Sequence, residues 1–235
     1  MKIEVWSDYV CPFCYIGKRR LEMALSATGL QDKAEVVYKA FQLDPTTPAM
    51  SGGSSIEGLS KKYGISLQEA KQMMANVAEQ AKTVGLSYNV EEMKVANTLD
   101  AHRLAKLGEA EGKSFAVTER LMSAHFIQGE RVDDPIVLTA IADEVGISTE
   151  RIATMLQSDE FKDSVQQDIA EAGEIGVQGV PFFVINRKYA ISGAQPTEVF
   201  EQALRKVAEE EGITPQLKVL GDESQGICTD DHCDM

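Results

Sequence analysis

Apolar and polar residues follow two rhythms along this chain. Alternation suited to strands marks residues 2–7, where Ile3, Val5 and Trp6 stand among polar neighbours, and returns at 34–41, 182–185 and 188–192. Helical spacing fills the first gap, from Pro12, whose missing N–H costs little in a first turn, to about Gly29. Strand, helix and strand in that order predict parallel strands with the helix packed on one face of the sheet. Residues 44–55, with Pro45, Pro48, Gly52 and Gly53, read as a long loop. From there to about Gly176 helical periodicity is almost unbroken. Segments near 56–63, 66–84, 97–112, 114–128, 135–145, 149–156 and 159–175 are separated by glycines, prolines or caps. Ser66 and Glu69 make a capping box, and Asp134-Pro135 and Ser148-Thr149-Glu150 mark further helix starts.

After the helical block the strand rhythm resumes as a hairpin turning at Asn186-Arg187, followed by an amphipathic helix over 196–211. Residues 1–55 and 177–211 therefore predict one α/β unit, a thioredoxin-like fold split by a large all-helical insertion over 56–176. Residues 212–235 are polar and acidic and are expected to form a flexible tail carrying a cysteine pair.

Composition narrows the function. With 43% hydrophobic residues in 235, the chain can bury a sizeable core, and its formal net charge of -14 argues against nucleic acid and anionic membranes as partners. Acids interrupt the opening residues where a signal peptide needs an apolar run, and no later stretch approaches a membrane span, so a cytoplasmic protein is expected. In that compartment thiols stay reduced. Four cysteines in two close pairs, 11/14 and 228/233, then point to redox cycling or metal rather than to structural staples.

Cys11-Pro12-Phe13-Cys14 lies where the first strand gives way to helix. The free N–H groups and positive end of the helix dipole favour a thiolate at Cys11, and Cys14, one turn in, can reach that sulfur. The spacing alone is also half of a zinc site. In Gly179-Val180-Pro181-Phe182-Phe183-Val184, a cis Pro181 entering a strand would leave the backbone of Val180 free to pair with an extended peptide. Most X-Pro bonds are trans, but the upstream cysteine pair in a β-α-β unit predicts the cis form here. The third motif is Cys228-Thr229-Asp230-Asp231-His232-Cys233. Zinc held by Cys228, His232 and Cys233 with Cys11 and Cys14 is disfavoured, because adjacent His232 and Cys233 are poorly spaced for one tetrahedral ion. No metal is expected. The tail pair reads instead as an accessory redox dithiol, and Asp230, Asp231 and Asp234 disfavour thiolates there, which assigns the disulfide to the tail and the reduced charge to Cys11. His125, near Phe126 and Ile127, reads as structural.

Three stretches carry a family resemblance: Asp8-Tyr9-Val10-Cys11-Pro12-Phe13-Cys14-Tyr15-Ile16-Gly17, Asn97-Thr98-Leu99-Asp100-Ala101-His102-Arg103, and Gly176-Val177-Gln178-Gly179-Val180-Pro181-Phe182-Phe183. The chain resembles the DsbA-like proteins of the thioredoxin superfamily, and within them the cytoplasmic FrnE-type branch, over nearly its whole length to about residue 211. It is also similar to 2-hydroxychromene-2-carboxylate isomerases and kappa-class glutathione transferases. The resemblance implies a substrate groove between the active-site helix and the insertion. Cys11 would be the nucleophile and Cys14 the resolving thiol, with Pro12, Phe13, Val180 and Pro181 meeting the substrate. It also sets the 97–103 segment beside the groove, making His102 a candidate substrate contact; the plainer reading is a boundary histidine paired with a carboxylate such as Asp100 or Glu109. The glutathione-using relatives typically carry serine at the position of Cys11 and lack the second cysteine. This sequence keeps both, which favours exchange with protein thiols and disulfides over glutathione-dependent isomerisation or transfer on a small aromatic or polyketide-like compound. Some FrnE-type proteins share a C-terminal C-x4-C. No cofactor is expected, with glutathione or another small thiol as redox partner. Phe13 supplies no histidine to the thiolate, unlike the Pro-His pair of DsbA, whose thiol titrates at about 3.5, so a milder oxidising strength nearer thioredoxin or glutaredoxin is expected.

Overall fold

The computed structural model describes residues 1–214 and, past them, the short strands Cys228–Thr229 and His232–Cys233. Strand β1 (Lys2–Ser7) leads into helix α1 (Pro12–Thr28) and back through β2 (Glu35–Ala40), which runs parallel to β1 in a register from Lys2 opposite Glu35 to Ser7 opposite Ala40. A 3-10 turn at Gln31–Lys33, not evident from the spacing of apolar residues, precedes β2. Strands β3 (Phe182–Ile185) and β4 (Tyr189–Ser192) add antiparallel neighbours, giving the order β2-β1-β3-β4. The hairpin turns at Asn186 and Arg187 with φ of 49° and 55°, the left-handed geometry that matches strand twist. The Asn186 side-chain carbonyl accepts the Lys2 N–H at 2.7 Å, tying the turn to the central strand.

Both faces of the sheet are covered, which is why β1 is buried beyond the alternation its sequence suggests. On one face, α1 and α9 (Thr197–Glu210) pack Leu21, Leu25, Phe200 and Leu204 against Ile3, Val5, Phe183 and Ile185. A Cβ on Gly17 would lie 3.0 Å from both Phe183 and Pro181, so glycine is what lets α1 sit this close to the start of β3. On the other face Trp6 and Val184 meet Ala172 of α8 (Lys162–Glu174).

The remaining helices, α2 (Ser55–Tyr63), α3 (Leu67–Lys82), α4 (Leu99–Ala110), α5 (Ser114–Phe126), α6 (Pro135–Glu144) and α7 (Thr149–Leu156), follow the predicted segments to within a few residues at their ends. The Ser66–Glu69 capping box forms, and a second one, Ser54–Glu57, opens α2. Their core (Leu104, Leu107, Leu121, Met122, Leu138, Ile141) is continuous with Cys11, Cys14, Tyr15 and Ile16. The first turn of α1 is thus buried by the insertion, and only its later turns by the sheet.

Two polar clusters hold the layers together. Lys18 of α1, almost wholly buried, lies 2.5 Å from both Glu22 and Glu119, and Glu119 also accepts from Tyr15 at 2.6 Å and pairs with Arg19. Burial alone would raise the Glu119 carboxyl, yet Lys18 and Arg19 hold it below its ordinary value. Asp168 of α8 accepts the Ala40 N–H at 2.9 Å and pairs with Lys106 at 2.7 Å and Lys39 at 3.1 Å, while its carbonyl accepts the Trp6 indole N–H at 2.9 Å.

The chain past α9 is described only in part. Ile213 packs on the sheet core, and strands β5 (Cys228–Thr229) and β6 (His232–Cys233) pair antiparallel with Cys228 opposite Cys233. The other tail positions, including Asp230, Asp231 and Asp234, lie outside the described residues. Among the described residues no helix is long and apolar enough to cross a membrane.

Replacing Asp168 with alanine takes the buried partner from Lys39 and Lys106, leaving them Glu171 and Glu109, and leaves a strand-end N–H without its acceptor. Asp168→Ala is expected to destabilise the fold by about 3 kcal/mol, read as a lower urea midpoint at unchanged m.

Candidate active site

The site begins where β1 ends. The Cys11 N–H donates to Asp8 O at 3.2 Å, closing a turn that places Cys11 as the N-cap of α1 in an extended conformation (φ -88°, ψ 111°), with Pro12 at the first helical position. The Cys14 N–H donates to Cys11 O at 3.0 Å. Both cysteines are free thiols, with Cys11 5% exposed and Cys14 1%. The Asp8 N–H donates to Cys14 Sγ at 3.5 Å, and the Cys11 thiol donates to Val180 O at 3.4 Å, a bond available only while Cys11 is protonated.

The two sulfurs are driven apart electrostatically. Cys11 is lowered from the ordinary thiol range, first because the Cys14 S–H donates to it and then through the N–H groups of Cys14 and Phe13, against opposition from burial and from the Asp8 carboxylate. Cys14 is raised well above that range, chiefly by burial and then by the neighbouring Cys11. When the pair gives up a proton, the charge therefore falls on Cys11 and Cys14 keeps its own. The helix end contributes as the sequence suggests, but the larger contribution comes from the second cysteine.

His102 is buried and paired with a carboxylate, as the plainer reading has it, but the carboxylate is Asp8 and not Asp100 or Glu109. It is 3% exposed and does not line the groove; its Nε2 lies 3.0 Å from Phe41 O and 3.3 Å from the Asp8 carboxylate, and its ring packs on Tyr9. Asp100 pairs instead with Arg103, and Glu109 with Lys106. The buried side of α4 meets the end of β1, so the histidine finds its partner across the fold and not along its own helix. It supports Asp8, whose other oxygen accepts the Leu43 N–H at 2.8 Å.

A groove of about 690 Å³ opens beside Cys11, Pro12 and Phe13, between the start of α1 and helices α2 and α3. Leu59, Met73, Met74 and Val77 line it, as do the buried Thr98, His125 and Phe126. Val180 and Pro181, joined by a cis peptide bond as expected, are not among its lining residues and meet the site through the Cys11 thiol. The Val180 N–H has no hydrogen-bond partner among the described residues.

Two residues of the site carried no functional signal in the sequence. Tyr88, in the irregular segment between α3 and α4, donates its hydroxyl to Pro12 O at 2.7 Å and stacks on Phe126 at 4.9 Å. His125, read from sequence as structural, reaches the groove although its ring is buried, and its Nδ1 has no partner among the described residues. Burial lowers it to about 4 against contributions from Asp8, the Glu130 backbone and Asp133, so it is neutral near pH 7. The positions of the Cys228 and Cys233 side chains relative to this site lie outside the described residues.

Known proteins share the frame that holds these two thiols beside a cis proline. The profile of the DSBA-like thioredoxin domain matches residues 2–205. The chain belongs to the DsbA-like thioredoxin family. A probable DsbA oxidoreductase from Streptomyces coelicolor is 35% identical and superposes with a TM-score of 0.85, covering 100% of this chain and 99% of that one. The uncharacterized Bacillus subtilis protein YwbO is 27% identical over 205 residues, 86% of this chain and 94% of its own. The cytosolic disulfide reductase DsbM of Pseudomonas aeruginosa shares the fold at 16% identity (TM-score 0.63, 89% and 100% covered), as does a 2-hydroxychromene-2-carboxylate isomerase at 15% (TM-score 0.66, 90% and 98%).

Within this DsbA-like frame the sulfur pair makes a direct prediction. Cys14→Ala is expected to move the Cys11 titration up toward the ordinary thiol value of about 8.5, and Cys14→Ser, which keeps a donor, to move it less; thiolate absorbance or alkylation rate against pH reads both. His125 gives a second. Its folded value near 4 lies below the unfolded 6.5, so its contribution to stability is intact above pH 6.5 and is lost as pH falls toward 4. The loss reaches about 3 kcal/mol, and the unfolding free energy of His125→Leu is expected to lack that pH dependence.

Proposed function

We propose that this chain is a cytoplasmic dithiol-disulfide oxidoreductase and isomerase of the FrnE type, acting on protein thiols and disulfides. What supports the reading is the placement of two buried free thiols at the start of α1, Cys11 the more readily ionised and Cys14 held protonated, beside an open groove. Cys11 thiolate attacks a substrate disulfide, forming a mixed disulfide and expelling one substrate thiolate. Cys14 then gives up its proton and attacks Cys11 Sγ, releasing the second substrate thiol and leaving the protein disulfide. Run backwards, the same steps oxidise a substrate dithiol. The unpaired Val180 N–H and the Val180 carbonyl, freed when Cys11 ionises, offer one donor and one acceptor to an extended substrate strand, with Pro12 and Phe13 beside it.

Cys228 and Cys233 serve as the accessory pair. Residues facing each other in antiparallel strands hold their Cα atoms about 4.5–5.5 Å apart, inside the span a disulfide bridges, and the observed register supports that pairing. The tail passes electrons to Cys11 and Cys14 or takes them up, and glutathione or another small thiol restores the pool; DsbM, which shares the fold, is known in a structure with GSH. With Pro12 and Phe13, and no histidine, between the cysteines, the potential lies nearer thioredoxin or glutaredoxin than DsbA.

Insulin reduction and refolding of scrambled ribonuclease test the reading. Cys11→Ser is expected to lower both activities by at least about a hundredfold, and Cys14→Ser to accumulate mixed disulfides with substrate. Unchanged activity in Cys11→Ser would overturn the dithiol mechanism.

A further inference from the structure

Exchange chemistry needs only the sulfurs and a backbone to pair with, yet the groove beside them is more elaborate. Phe13, Leu43, Tyr63 and Met73, contributed by α1, the loop after β2, α2 and α3, stay between 37% and 60% exposed while bordering one cavity. Large apolar side chains gathered around one cavity form a patch that a partner covers, and partial exposure on four separate segments suits a polypeptide better than a small molecule. The thioethers of Met73 and Met74 in the wall adapt to side chains of varied shape.

Charge at this rim runs against the rest of the molecule. On a chain of net charge -14, Lys61, Lys62 and Lys94 line the groove, where the facing carboxylates are Asp44 on the rim and the buried Asp8. Lys94 reaches the exposed Glu92 at 3.4 Å, Lys62 interacts with Asp44 through space, and Lys61 forms no ion pair among the described residues. These cations stand next to the apolar rim, where a bound segment would present its neighbouring side chains.

We infer that the groove selects, as exchange partners, unfolded polypeptide segments whose cysteine is flanked by a large apolar residue and an acidic one. The inference rests on the exchange reaction proposed above. The apolar side chain buries against Leu59, Met73 and Met74, and the carboxylate sits at Lys61 and Lys62, so the cysteine is delivered to Cys11. For a disulfide-linked pair of such peptides, the reduced protein gives its two electrons and two protons: Cys11 and Cys14 end as a disulfide and the two peptides leave as thiols.

The test is single-turnover reduction of three peptide disulfides by the full-length, pre-reduced protein. Each peptide carries one cysteine next to leucine and differs only in having aspartate, serine or lysine on the other side; bis(2-hydroxyethyl) disulfide is run beside them. The aspartate peptide is expected to react about three- to tenfold faster than the lysine peptide at low ionic strength, with the ratio shrinking as salt is added. Reversing the rim with Lys61→Glu and Lys62→Glu together, at exposed positions, is expected to bring that ratio to one or below, and replacing leucine by serine in the aspartate peptide to slow its reduction. Equal rates for all three peptides, or an acidic preference that survives the double charge reversal, overturn the selection while leaving exchange intact. A wild-type protein that reduces neither the peptides nor the small disulfide overturns the exchange reading itself.

Discussion

A thiolate closed off from water persists only where something else solvates it. At Cys11 that role falls to the Cys14 S–H and to the N–H groups of Phe13 and Cys14, all of which are in reach only if Cys11 caps α1 and the helix runs straight into its first turn. The arrangement has a built-in asymmetry. The donor that favours charge on Cys11 is itself buried more deeply, and the charge it stabilises makes its own ionisation harder. Two chemically identical side chains, three positions apart, thereby acquire opposite roles from position alone.

The insertion supplies much of that position. Cys11 and Cys14 pack in the same hydrophobic cluster as α4, α5 and α6, and Tyr88 anchors the Pro12 carbonyl from the segment between α3 and α4. Further along α1, Lys18 and Arg19 are held by Glu119 of α5. A buried lysine with two carboxylates adds little net stability over a well-packed apolar residue, but it fixes how the helix is rotated, because any other rotation would leave the ammonium unpaired. That rotation decides which way the two sulfurs face. The sheet sets where α1 lies, through the close approach at Gly17, and the insertion sets which face it shows.

This division of labour explains what could be read from the sequence. The strands, their parallel and antiparallel order, the helical segments, the left-handed turn at Asn186-Arg187 and the cis bond before Pro181 follow from local periodicity, turn chemistry and motif context. The Cys11 and Cys14 pair was legible for the same reason. What escaped depends on contacts between distant segments: His102 meets Asp8 across 94 positions, Glu119 meets Lys18 across 101, and Tyr88 meets Pro12 across 76. A helix wheel tells that a residue is turned inward. It does not tell what waits there. His125 shows the limit most clearly, since its neighbours Phe126 and Ile127 mark a core position correctly while the groove that the core also borders is assembled from α2, α3 and the start of α1.

The balance at Cys11 also bears on direction. Stabilising the thiolate of the reduced form makes the disulfide form a stronger oxidant, which is how a very low thiol pKa accompanies a high potential in DsbA. Here the same geometry carries two brakes. Phe13 offers no cation between the cysteines, and the Asp8 carboxylate, held in place by the Leu43 N–H and His102, opposes negative charge on Cys11. A carboxylate so near a thiolate is a poor choice for a strong oxidant. The burial of Asp8 removes the solvent screening that would otherwise mute its effect.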